Sequence, residues 1–382
     1  MSEIYFDNAA TTRVSDEAAR SALDVMTSFY GNPSSAHAKG LEAEHILKKA
    51  RVQVISGLGY TTKDGSLLFT SCGTEASNMV FFGAYEVLGK RKNNIVISDS
   101  EHPSVENCAR ELERNGVEIR RIPTKGGKLD LDFAEKAIDA KTMLISCMLV
   151  NNETGAVYDI KALDAIRKRN ANDAYLHTDA VQGFCKLPYS LSALGTDLIS
   201  VSGHKIHAPK GVGGLFIKKG VRLPSRMFGG GQEAGLRSGT ENLAGIAAFG
   251  KAVDEYMNEK SERLNTLKNL NTELRKNLSE ICPYVLINSQ EDFAPHILSI
   301  SVPGIRSEIM LRFLSEKGIY VSAGSACSSK SADNRVLSNF GLSDKTADST
   351  LRISFSKYNT KEETLILAKA INEGNSSLIH TV

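Results

Sequence analysis

The residues best suited to chemistry cluster in Ser200–Gly211. Asp197-Leu198-Ile199-Ser200-Val201 reads as a short buried strand, apolar and β-branched, and Gly211-Val212-Gly213-Gly214-Leu215-Phe216-Ile217 reads as glycines entering a second strand. Lys205 falls on the tight loop between them, its amine anchored at one end of a sheet. Such an amine is a candidate Schiff-base nucleophile when desolvation or nearby cations lower its pKa. A surface lysine in a turn is the plainer reading of any single lysine. Here Ser202, Gly203 and His204 stand just upstream, where they can donate to a phosphate.

Other strand ends carry reactive groups. Ser66–Thr70 runs into Ser71-Cys72-Gly73-Thr74-Glu75, where glycine permits close approach and a helix begins. Amides at a helix N-terminus bind phosphate, although Ser/Thr capping explains the same stretch. The strand ending at His177 leads into Asp179 and Gln182; a carboxylate at that depth needs a donor or cationic partner. Asn151-Asn152-Glu153 follows the strand ending at Val150, and Glu101-His102 follows the Asn94–Ser98 strand. Taken singly, each has a structural explanation in a turn, a cap or a packed ring. Their shared position after successive strands, with Lys205 among them, is the signal.

The elements that must position these groups alternate. Strands are expected near 66–70, 94–98, 117–122, 143–150 and 174–178, with helices over 74–88, 104–115, 131–140 and 161–169 between them. This rhythm implies an α/β fold with a mostly parallel sheet covered on both faces, and ligand sites beyond the strands' carboxyl ends. Ahead of it, Ser15 or Asp16 caps a helix through about Phe29 with Ala18, Ala19, Ala22, Leu23 and Met26 on one face. After the glycine-rich Met227–Thr240, a long charged helical stretch reaches Ile281. His296–Val302 and Ser349–Phe355 then alternate like antiparallel strands. We therefore expect a large domain over 16–257 and a smaller α+β domain of 258–382, joined by residues 1–15.

Composition excludes several function classes. The chain has 382 residues, 41% hydrophobic and 24% charged, with a formal net charge of +2, ordinary for a globular protein. No basic block resembles a nucleic-acid patch, and Lys90-Arg91-Lys92 fits a solvated loop. The amino terminus lacks a signal-peptide pattern, and no apolar run reaches membrane-spanning length. The 6 cysteines include no CxxC pair, which in a chain this large points to reduced thiols and a cytoplasmic protein. Neither nucleic acid nor membrane is an expected partner.

The strand-end set meets the needs of pyridoxal phosphate: a lysine for its aldehyde, an acid beside the pyridine nitrogen, phosphate donors and a plane to stack on. Asp179 would keep the ring nitrogen protonated and His102 would stack on the ring. Thr74, beside Gly73, would bind the phosphate with Ser202 and His204, while Gln182 would reach the ring hydroxyl.

Taken in order, Asp7-Asn8-Ala9-Ala10-Thr11-Thr12, Gly31-Asn32-Pro33-Ser34-Ser35, Glu101-His102, Val150-Asn151-Asn152-Glu153, His177-Thr178-Asp179 with Gln182, and Ser202-Gly203-His204-Lys205 resemble the cysteine desulfurases of the NifS/IscS branch. So do Gly229-Gly230-Gly231-Gln232-Glu233, Arg237-Ser238-Gly239-Thr240 and Gly324-Ser325-Ala326-Cys327. The likeness runs from about residue 4 to about residue 370. It implies the pyridoxal-phosphate-dependent transferase fold of type I, with a mostly parallel seven-stranded sheet in the large domain, and a homodimer with active sites near the subunit interface. It implies that Lys205, Cys327 and His102 carry the catalysis, and that Thr240 reaches the phosphate of the neighbouring subunit's cofactor. Arg352 would hold the substrate carboxylate with Asn152 and Asn32, and Asn152 would also touch the cofactor. The implied reaction converts L-cysteine to L-alanine and leaves the sulfur on Cys327 as a persulfide. A sulfur-accepting protein such as an iron–sulfur scaffold would take it on. No permanent metal is implied beyond a transient contact of Cys327 with an iron–sulfur cluster. Cys327 lies in a small, polar loop, suited to carrying a thiol. Ala234 and Val181 depart from the family pattern and bear only on the subfamily, while the loop after Cys327 and the tail after Gly374 are short and differ from the pattern, which leaves the acceptor unassigned. An aminotransferase, a selenocysteine lyase or an idle relay subunit would share parts of this set.

Overall fold

The computed structural model describes residues 3–323 and 334–380. A seven-stranded sheet runs in the order Gly65–Thr70, Gly213–Lys218, Leu198–Ser202, Tyr175–Asp179, Thr142–Met148, Asn94–Ser98 and Glu118–Ile122. Gly213–Lys218 is antiparallel to both neighbours, and every other pairing is parallel. The central strands are apolar runs because both faces are covered. Val96, Ile145 and Ile199 enter one core while Ile95, Ile97, Leu144 and Leu198 enter the other. The α/β expectation holds, down to the Asn94–Ser98 strand residue for residue.

One helix faces differently from its sequence pattern. Asp16–Thr27 is capped as expected, Ser15 Oγ accepting from the Ala18 N–H at 3.2 Å. Its buried seam, however, is Ala18 and Val25, while Leu23 and Met26 are 55% and 61% exposed. The helix packs on Leu243–Asn258, and residues seven apart fall on that one line while Leu23 and Met26 turn away from it.

A second sheet is wholly antiparallel, in the order Ser322–Ala323, Thr350–Ser354, Ile297–Ser301, Leu286–Ile287. The helices Lys260–Ile281 and Lys361–Ser377 bury Leu267, Leu270, Leu274 and Leu367, Ile371 in its core, which also takes Ile4 and Phe6. The amino-terminal strand Ile4–Tyr5 pairs in parallel with Ile319–Tyr320. Just after it the chain laces the two sheets together. Asn8 Nδ2 donates to Ser354 O at 2.9 Å, and the Thr12 N–H donates to His204 O at 2.9 Å. Among the described residues no helix is long and apolar enough to cross a membrane.

Candidate active site

A cavity of about 460 Å³ opens where the parallel strands Leu198–Ser202, Tyr175–Asp179 and Thr142–Met148 end, the place such sheets reserve for ligands. Lys205 reaches it from a tight turn directly after Ser202. Gly203 makes that turn possible, since a β-carbon there would lie 3.0 Å from Val212 Cγ1 and 3.1 Å from Ala208 Cβ. Lys205 Nζ donates to Ala9 O at 2.6 Å and to Ala10 O at 2.7 Å. His204 Nδ1 pairs with Thr11 Oγ1 at 3.2 Å, and burial, helped by the Lys205 charge, pushes its imidazole down to about 4.

Asp179 and His102 share the floor. Burial pushes the Asp179 carboxyl up, against the pull of the His102 charge, the Val181 N–H and the Lys205 charge. That N–H donates to Asp179 Oδ1 at 2.9 Å. His102 caps the helix Pro103–Arg114, its Nδ1 accepting from the Ser104 N–H at 3.1 Å. Burial lowers its pKa, outweighing the Asp179 carboxylate that raises it, and so favours the neutral ring. Nε2 is then left for an occupant of the cavity. Beneath them His177 bridges three strands, Nδ1 to Ser146 Oγ at 2.8 Å and Nε2 to Ser200 Oγ at 2.9 Å. This buried ladder, its imidazole pushed down to about 3 by burial, stiffens the sheet two residues before Asp179.

At one end of the cavity lie Gly73, Thr74, Ser202 and His204. The helix Gly73–Leu88 starts there with no side chain capping it at Cys72, so its dipole and first N–H groups face the cavity. The capping explanation of this stretch is thereby removed. Ser202 Oγ and Gln182 Oε1 are buried without a hydrogen-bond partner among the described residues. Gln182 Nε2 donates to Ala9 O at 2.8 Å. On the opposite wall Arg352 Nη1 donates to Asn152 O at 3.0 Å and Nη2 to Asp7 Oδ1 at 2.9 Å. Its Nε is buried without a partner among the described residues.

The cavity therefore gathers Gly73, Thr74, His102, Asn152, Asp179, Gln182, Ser202, His204, Lys205 and Arg352. Asn32 and Thr240 are exposed and do not line it; Asn32 Oδ1 instead accepts from the Ser34 N–H at 2.9 Å. Cys327 lies outside the described residues. Two contributions have no sequence signal of their own. One is the pair of backbone carbonyls of Ala9 and Ala10, and the other is Arg335, a lining residue inside a polar, aperiodic stretch.

The model of the class-V aminotransferases matches residues 4–367. The chain belongs to the class-V aminotransferase family. It is 39% identical to a NifS/IcsS protein homolog of Lactobacillus delbrueckii subsp. bulgaricus over 365 residues, covering 94% of each chain. It is 36% identical to the cysteine desulfurase NifS of Azotobacter vinelandii over 371 residues, 95% of this chain and 90% of that one. A solved NifS-like protein superposes with a TM-score of 0.92 at 36% identity, covering 99% of this chain and all of the other. This family member thus has the type I transferase fold the motifs implied, with the seven-stranded sheet as its main layer.

Proposed function

We propose that the chain is a pyridoxal-phosphate-dependent cysteine desulfurase, converting L-cysteine to L-alanine and passing the sulfur to Cys327. The observation that carries this reading is the placing of the Lys205 amine, the Arg352 guanidinium, Asp179 and His102 on the lining of one cavity. The donor set fits the cofactor. Ser202 Oγ, buried without a partner among the described residues and close to a helix N-terminus that Cys72 does not cap, suits a phosphate. Asp179, whose carboxyl burial pushes up, would gain from a protonated ring nitrogen a charged donor beside the Val181 N–H. When bound, pyridoxal phosphate supplies an aldehyde for an amine and a ring that draws electron density from Cα.

The protein's own groups then divide the work. Arg352 grips the substrate carboxylate through its planar fork, with Asn152 and Asn32 assisting. Lys205 takes the Cα proton, for which a neutral amine is needed. His102, neutral and held at Nδ1, exchanges a proton with the substrate thiol. The Cys327 thiolate forms a new S–S bond as the substrate C–S bond breaks. L-cysteine and the enzyme thiol thus become L-alanine and the enzyme persulfide, with atoms and electrons balanced. A sulfur-accepting protein, such as an iron–sulfur scaffold, removes the terminal sulfur in the cytoplasm. A homodimer is part of this reading: Thr240 does not line its own chain's cavity, and Leu23, Met26 and Tyr30 are exposed apolar side chains for an interface to cover. The large domain of this reading spans 16–257, and 258–382 with residues 1–15 form the small one.

Replacing Cys327 by serine tests the assignment. Alanine production from L-cysteine should be abolished while the yellow cofactor stays bound, read by amino-acid analysis and absorbance. Alanine at the wild-type rate would remove Cys327 from the reaction.

A further inference from the structure

The turn that delivers His102 is held from two directions. On the side of the large sheet, Glu101 Oε1 accepts from the Met148 N–H at 2.8 Å and from the Ser98 hydroxyl. Asn151 Nδ2 donates to Ser100 O at 3.2 Å, and Thr124 Oγ1 donates to Asp99 Oδ1 at 2.5 Å. These contacts fix the base of the turn against its own sheet. The second grip comes from the short helix Arg335–Phe340, which follows the segment 324–333 and so the position of Cys327. Arg335 Nη1 donates to Asp99 O and Nη2 donates to Glu101 O at 2.8 Å. Asn339, one helical turn on, donates through Nδ2 to Asp99 O at 2.8 Å.

We propose that Arg335 is a positioning residue for His102: its two terminal nitrogens clasp the carbonyls of Asp99 and Glu101 and so fix the ring that follows them over the cavity. Three features support this. A guanidinium is rigid and planar, so two acceptors at its two ends set the spacing and orientation of the turn, which a flexible ammonium does not do. The clasp ends on Glu101 O, the carbonyl of the residue just before His102, so little chain lies between the anchor and the ring. Arg335 itself lines the cavity, so no intervening side chain has to relay the effect. The helix is in turn held through Phe340, packed edge-on against Phe293 at 6.3 Å and against the apolar core on one face of the large sheet. The clasp therefore joins a fixed support to a fixed turn, and the chain that carries Cys327 returns at that same support. A displacement of His102 by even about 1 Å is enough to slow a proton transfer substantially.

This inference rests on the assignment of His102 to proton exchange, and the experiment separates the two. In the cofactor-loaded full-length enzyme, R335A should lower kcat for alanine formation by about tenfold with KM changed less than about threefold, because substrate grip stays with Arg352. The absorbance maximum of the bound cofactor should shift, since the ring stacked on it moves. R335K, which keeps the charge and stem but not the fork, should recover only part of the rate, and it serves as the test variant if R335A does not fold. The decisive readout is a double-mutant cycle with H102Q: once His102 is gone, R335A should cost nothing more. If R335A and R335K both run at the wild-type rate, or if the R335A loss adds in full to that of H102Q, the positioning role is overturned while the assignment of His102 stands. If H102Q itself runs at the wild-type rate, both fall.

Discussion

The two walls of the cavity are built in opposite ways. The floor consists of strand ends, where Asp179 and Ser202 are set by the few residues of chain around each and by a buried sheet stiffened at His177, while the Lys205 amine, delivered by a local turn, is also tied to the distant Ala9 and Ala10 carbonyls. The facing wall consists of arginines held across long separations. Arg352 reaches Asn152 over 200 positions and Asp7 over 345, and Arg335 reaches Asp99 over 236. The floor is preorganised mainly by local geometry, with residues 9–12 tying down the Lys205 turn, while the wall exists only when the second sheet is docked. Under the proposed function, the cofactor's attachment would sit on the rigid side and substrate grip on the side whose position depends on docking.

The largest effect should come from breaking the wall alone. R352A should raise KM for L-cysteine by about a hundredfold, because a bidentate charged pair is lost, with a smaller fall in kcat. The cofactor's absorbance should not change. A variant that also loses the cofactor would show that the two walls are not separable in this sense.

A smaller effect sharpens the account of the floor. Burial pushes the Glu101 carboxyl up to about 8, from an ordinary value of 4.5. The folded protein therefore holds a proton that the unfolded chain releases. The stability this contributes is full below about pH 4.5 and is lost as pH rises through about 8. In E101Q, which cannot ionise, that dependence should be missing. The unfolding constants of wild type and variant should then diverge by up to about tenfold per pH unit across the window. Chemical denaturation at several pH values reads the difference directly. Buried imidazoles such as His177, pushed down to about 3, act with the opposite sign, losing stability as pH falls below about 6.5, and cancel in the comparison. A flat difference would mean that Glu101 is ionised throughout.

The smallest expected change separates folding from ligand holding. Ser202 Oγ makes no hydrogen bond among the described residues, so S202A should leave the melting temperature of the cofactor-free protein unchanged. It should weaken cofactor retention by about fivefold, the worth of one hydrogen bond, read by equilibrium dialysis. An equal loss of stability in the cofactor-free protein would mean that the hydroxyl serves the fold.

What the sequence made legible follows the same division. Strand ends were readable because a buried apolar run followed by a polar turn is a local signal. It placed Lys205, Asp179, Ser202 and the Gly73–Thr74 helix start together at one end of the sheet. Arg352 was placed by family likeness, since one arginine in an alternating strand has no local mark of function. Arg335 and the Ala9 and Ala10 carbonyls were not legible. A backbone acceptor has no residue type to betray it, and a contact spanning more than two hundred positions leaves no periodicity. The exposed Leu23 and Met26 show the same limit, because the side a helix buries is chosen by its neighbour as well as by its own pattern.

The amino-terminal lacing has a consequence for how the protein is made. Residues 4–12 are synthesised before all of their partners, which are Ile319, Tyr320 and Ser354 on one side and the Lys205 turn on the other. On the ribosome the parallel sheet can assemble while that strip still waits, unpaired. Only when the chain has emerged past residue 354 can this stretch find its full seat, so the pocket closes last, by contacts that span most of the sequence.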